Sequence, residues 1–212
     1  PFARRRWPAK LVSWNRLLAG DHRDPLVGRD LLIGCTYAAA LAALMILIQL
    51  FQDMLGATPA SSTIALSLFS GFPSIFAALF RFIVMSIFIG LAAAFLIFML
   101  QVLLKRTWAV VIVLTLLLSS LIIPTSSFIA VISMALSVGL NVFLFLRYGL
   151  LALISSLLFS LILLSFPITT QLSAWYSGSG LTGLALLFAF ALYAFHTSLG
   201  GQPLFGRASL ED

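Results

Sequence analysis

Between Arg106 and Arg207 the chain carries a single formally charged side chain, Arg147. Water cannot be the solvent for such a stretch. An average soluble chain has about 25% charged residues to cover its surface, whereas here 8% are charged and 62% are apolar. A soluble enzyme is thereby excluded. In lipid every backbone polar group must find its partner inside the protein, which leaves helices or a closed barrel. Runs such as Leu31 to Phe51 have the length of a spanning helix, about 20 residues, and not that of a spanning strand, about 9–11. The expected fold class is all-α, a polytopic helical membrane protein.

Charge placement orients it. Of the twelve basic residues, seven (Arg4, Arg5, Arg6, Lys10, Arg16, Arg23 and Arg29) precede the first apolar run. A basic segment beside a span faces the anionic cytoplasmic leaflet, so the partner expected for this arm is a bilayer with anionic headgroups and not nucleic acid. Cys35 is the lone cysteine and there are two histidines, too few for a disulfide framework or a structural zinc site. The chain begins at Pro1 and is read as processed, excised or incompletely represented. Its opening residues do not form a signal peptide, because the apolar run that follows is too long and lacks a small-residue cleavage site.

Three regions follow from the pattern. Residues 1–24 form a basic, amphipathic, interfacial segment, helical from Pro8 to Gly20, with Leu11, Trp14 and Leu18 on its apolar face and Lys10, Ser13 and Arg16 elsewhere on the wheel. Asp24 is an N-cap ahead of Pro25 at the first helical position. Residues 25–199 hold six transmembrane helices: Pro25 to Gln52, Ser74 to Leu104, Thr107 to Ile123, about Ser126 to Leu146, Leu150 to Phe166, and Gly180 to Ser198. The segment 54–73 is re-entrant or interfacial. Residues 200–212 are a short tail. Six spans put both termini on one side, and with the termini, Lys105, Arg106, Arg147 and Arg207 inside, only Arg81 falls in the outer half, as the positive-inside rule requires. The expected location is the bacterial inner membrane with cytoplasmic termini.

Ionisable groups inside a membrane are the usual pointers to transport or catalysis. Arg81 is the one well inside an apolar run, and it is read as an outer-leaflet anchor with Asp53 as its acidic partner. Ser133, Ser137 and Asn141 share one face of the fourth span, and Ser156 and Ser160 of the fifth are expected beside them across a tight turn at Arg147-Tyr148-Gly149. These small polar residues suit helix packing, and a polar conduction stripe would use the same ones. There is no acidic pair inside the membrane, no zincin motif and no nucleophile elbow. Catalytic, cofactor and metal residues are therefore all assigned as none.

Two stretches carry a resemblance. One is Trp14-Asn15-Arg16-Leu17-Leu18-Ala19-Gly20, continued by Arg23-Asp24-Pro25-Leu26-Val27-Gly28-Arg29-Asp30. The other is Leu172-Ser173-Ala174-Trp175-Tyr176, with Thr197-Ser198-Leu199-Gly200-Gly201-Gln202-Pro203-Leu204-Phe205 further on. In order and spacing the chain resembles, over nearly its whole length, the C-terminal multi-span membrane region of bacterial serine/threonine protein kinases of the acidobacterial type. The resemblance implies a cytosolic kinase domain ahead of the spans. No kinase signature lies in these residues, so the implied role is to anchor, and to signal to, such a domain. An accessory subunit of a larger membrane complex or a homo-oligomer is a second expectation, and a small transporter or channel a third.

Overall fold

A computed structural model describes residues 12–54, 72–120, 128–166 and 177–200. All the regular structure in them is helical: α1 (Val12–Leu18), α2 (Pro25–Met54), α3 (Phe72–Leu104), α4 (Thr107–Ser120), α5 (Phe128–Tyr148), α6 (Leu150–Ser165) and α7 (Ser177–Ser198). Four of the helices contain stretches long and apolar enough to cross a membrane: Pro25–Phe51, Pro73–Leu104, Val131–Tyr148 and Gly178–Ser198. α4 and α6 are apolar but shorter. The first part of the expected interfacial helix, the 55–71 segment, Pro124 and Trp175 lie outside the described residues.

The ends of the helices follow local chemistry. Gly20 takes a φ of 92°, and around it the Gly20 N–H donates to the Leu17 carbonyl (3.1 Å) and the Asp21 N–H to that of Arg16 (3.0 Å). This double bond is a Schellman stop, which needs a left-handed residue that glycine supplies without strain. Asp24 caps α2 as expected, its Oδ1 accepting the Leu26 N–H at 2.8 Å. Between α5 and α6 only Gly149 intervenes, at φ 107°, so the turn is tighter than three residues.

The shorter α6 is the axle of the bundle. Nine of its sixteen residues are buried, and it packs most extensively on α2 and then on α3. Its contact with α5, the neighbour expected from the tight turn, is smaller. Glycines make the approach close. A Cβ on Gly34 would lie 1.9 Å from the Ser155 Oγ and 2.9 Å from the Ala152 carbonyl, and one on Gly90 would lie 2.5 Å from the Ile154 Cγ1. On the far side of α2, a Cβ on Gly28 would meet the Ser198 backbone nitrogen at 2.4 Å.

These contacts also fix direction. The starts of α2 and α6 meet, so the two run the same way, while the start of α2 meets the end of α7, and Ile75, Ala78 and Phe82 of α3 cluster with Ile162 and Phe166 of α6. α3 and α7 therefore run opposite to α2 and α6. At the other end, one apolar cluster gathers Trp14 with Leu104, Phe145, Leu146 and Leu150. The connectors 105–106 and 149 thus lie at the same end of the bundle as α1. Outward faces are apolar, with Phe76, Phe80, Phe88 and Phe95 of α3 each about two-thirds exposed, as suits a surface wetted by lipid.

Gly34→Ala places a methyl where there is no room, and Gly139→Ala, whose Cβ would be 3.6 Å from the nearest side chain, does not. The first should lower thermal stability in detergent by the equivalent of about 1–3 kcal/mol, typical of overpacking. The second should leave it near wild type. Adding Ser155→Gly to Gly34→Ala should recover part of the loss, since it removes the nearest obstructing atom.

Candidate functional site

Two places concentrate the polar chemistry of the bundle. The first is where α1, α2 and α6 meet. Val27, Asp30, Gly34 and Ala38 recur at three- and four-residue spacing along α2 and are all buried, one face of a helix. Asp30 is the anomaly in that row: its side chain is 1% exposed. A carboxylate taken out of water needs partners. The Ser13 hydroxyl donates to its Oδ2 at 2.6 Å, and the Arg29 Nη2 and Nε reach Oδ1 at 3.0 and 3.2 Å. Arg29 keeps more than half of its surface exposed, so the charge is buried at one end and solvated at the other. The Ser155 hydroxyl of α6 sits 3.5 Å from the Asp30 carbonyl and 3.0 Å from that of Ala152.

A second tie lies one turn away. Arg16 of α1 pairs with Asp24 through Nη1 and Oδ2, while Oδ1 of the same carboxylate caps α2. The Leu26 N–H holds the Asp24 carboxyl below its ordinary pKa, and the Arg16 guanidinium adds to that. On the α7 side, the Tyr193 hydroxyl donates to the His22 carbonyl at 3.0 Å, and the Pro25 ring lies against Gly200. Residues 25–28 of the first quoted stretch and 197–200 of the second are therefore packed on each other.

The second place is a cavity of about 710 Å³ bounded mainly by α3, α4, α5 and α6. Ser133, Ser137 and Asn141 all line it, as their shared face requires. Opposite them α6 presents Leu153 and Leu157, not a serine. Ser156 is buried with its Oγ lacking a hydrogen-bond partner, so no bond joins it to Ser137, and Ser160 is half-buried. The Asn141 amide donates to the Ser137 carbonyl of its own helix at 2.8 Å, leaving Oδ1 buried without a partner.

Arg81 is exposed on α3, its guanidinium carbon 5.7 Å from the centroid of the Phe82 ring. The side chain of Asp53, its expected partner, lies outside the described residues. Among the described residues no group of three His, Cys, Asp or Glu side chains could hold a metal. Ser13 belongs to the buried side of α1 and Leu18, assigned to the apolar face, is 69% exposed. The buried carboxylate sets that rotation of the helix. No known protein family, characterised protein or solved structure matches the chain.

Ser13→Ala leaves the Asp30 Oδ2 without its donor, at a cost of about 1–3 kcal/mol for a buried polar group, and α1 should loosen. Hydrogen exchange over residues 14–18 should speed up in Ser13→Ala and more so in Asp30→Ala. In Asp30→Asn, which still accepts from Ser13, exchange should stay close to wild type. Unchanged exchange in Ser13→Ala would show that α1 is held by other contacts.

Asp24 supplies a pH dependence. Its folded pKa lies below the ordinary 3.8, so its contribution is fully present above that value and is lost as pH falls through the folded pKa. Acidification should release α1 there, read by the same exchange. Asp24→Asn, which keeps a capping oxygen, should remove this group's share of the acid transition.

Proposed function

We propose that the chain is a non-catalytic membrane domain of six spans with both termini cytoplasmic, and that it anchors, and relays conformation to, a cytosolic kinase-like domain joined ahead of α1. The observation that carries this reading is the fixing of α1 to the bundle. A seven-residue helix has no stability of its own, yet α1 is tied to α2 by Ser13–Asp30 and Arg16–Asp24 and touches α6. A domain joined through such an element would be held at a set angle to the membrane, not tethered by a loose string.

The alternating directions of α2, α3, α6 and α7, with α4 and α5 supplying the two passes between α3 and α6, support six crossings. Lys105, Arg106 and Arg147 flank the connectors at the α1 end, and the positive-inside rule makes that end cytoplasmic. The kinase-like nature of the joined domain rests on the resemblance of residues 14–30 and 172–205.

Single cysteines at positions 105 and 147, in a chain with Cys35 replaced, should react with an impermeant maleimide only after the inner membrane is opened. Labelling from outside would overturn the topology. For the anchoring role, an antibody against residues 12–30 should detect in native membranes a polypeptide well above the 23.0 kDa of this sequence. A band at 23.0 kDa would remove the kinase reading and leave the accessory-subunit one.

A further inference from the structure

We propose that the cavity between α3, α4, α5 and α6 is a binding site for one hydrocarbon chain of a membrane lipid. Its walls decide the chemistry. Among the eighteen described residues that line it none is charged, and Ser133, Ser137 and Asn141 are those with polar side chains. One N–H of the Asn141 amide is engaged with its own helix, and its Oδ1 is buried without a partner. All three polar side chains stand on α5, so they could hold a water on that wall, while the remaining walls offer only hydrocarbon. Leu96, Leu114, Met134, Leu153 and Leu157 offer instead the methyl-rich surface that suits an acyl chain.

Depth and mouth point to the same occupant. Asn141, the polar residue nearest the α1 end, is seven residues before Tyr148, about 10 Å along the helix, so the cavity lies at hydrocarbon depth on the proposed topology. Phe88 and Ile89 line the cavity and are also 70% and 42% exposed. The cavity is therefore open where α3 borders it, and that opening gives an acyl chain its way in. Its volume falls within the roughly 300–1,000 Å³ range of sites that enclose a small ligand. Ala92, Ala93, Ser133 and Ser137 are small enough to leave that space between α3 and α5.

The test uses the whole chain purified from native membranes in a mild detergent, with bound lipid read by native mass spectrometry. Wild type should retain one lipid per chain through extensive washing. Ala93→Trp with Ser137→Phe, which fills the cavity, should lower that occupancy by roughly tenfold, about 1.4 kcal/mol of binding. Phe95→Ala, on the exposed face of α3, should leave it unchanged. A second measurement needs no variant. Wild type in nanodiscs containing a phosphatidylethanolamine with a mid-chain diazirine, once irradiated, should carry adducts on Met134 and Leu157 inside the cavity. Loss of lipid from the washed wild type, equal retention in the filled variant, or adducts confined to outward positions such as Phe76 and Phe80 would each overturn the proposal. So would disulfide formation between copies through a cysteine at position 88, which would make the occupant a second chain.

Discussion

Lipid gives apolar helices no reason to leave it for one another, since the tails are as apolar as leucine. Close contact between helices must then come from shape, and in this chain the shape is the missing side chain at Gly34. With hydrogen in place of a methyl, the α2 backbone comes down onto Ala152 and Ser155, and the largest helix–helix contact of the bundle forms around that point. Gly90 lets α3 approach the opposite side of α6 over Ile154, and Gly28 lets the end of α7 reach the start of α2. Dispersion across these contacts is what the bundle has in place of the hydrophobic effect.

Once α2 and α6 are locked, Asp30 is committed to the interior. A lone buried carboxylate would be penalised by several kcal/mol, and the fold meets this from two directions: Arg29 reaches it from solvent and Ser13 from α1. α1 is thus less an independent amphipathic helix lying on a membrane than a lid required by a charge. Its sequence shows as much in retrospect. Ser13 falls off the apolar face of the wheel, because apolar periodicity counts only apolar residues and has no means of marking a serine that is buried by a partner seventeen positions away.

Much of the architecture is legible without coordinates. Helix class, the stop at Gly20, the cap at Asp24, the connectors at 105–106 and 149, and the shared face of Ser133, Ser137 and Asn141 all follow from spacing, turn residues and the absence of charge. What does not follow is which helix lies beside which. The short turn makes α5 and α6 neighbours, which they are, but it puts serines opposite serines and does not rank α5 against the other partners of α6. The most extensive contacts of α6 are with α2 and α3, where glycines at 34 and 90 permit a close fit, while a cavity separates part of α6 from α5. All faces of these helices being apolar, hydrophobic pattern alone carries no information about partners. Only the small residues do, and a single chain holds fourteen glycines without saying which ones touch.

The same unevenness gives α6 its mechanical character. On one side, Ala152 and Ser155 sit against Gly34 with no room for so much as a methyl group. On the other, Leu153 and Leu157 face a cavity of about 710 Å³. Close-packed contacts do not yield gradually, so a displacement of α6 is opposed on the α2 side and admitted on the cavity side. Ser155 lies on the resisting face, beside the carbonyl of Asp30, whose carboxylate holds Ser13 of α1. The face of α6 packed on α2 is thus also the face at the joint of the N-terminal helix. The close side of α6 rests on the glycine at position 34, and its open side on the small residues at 92, 93, 133 and 137.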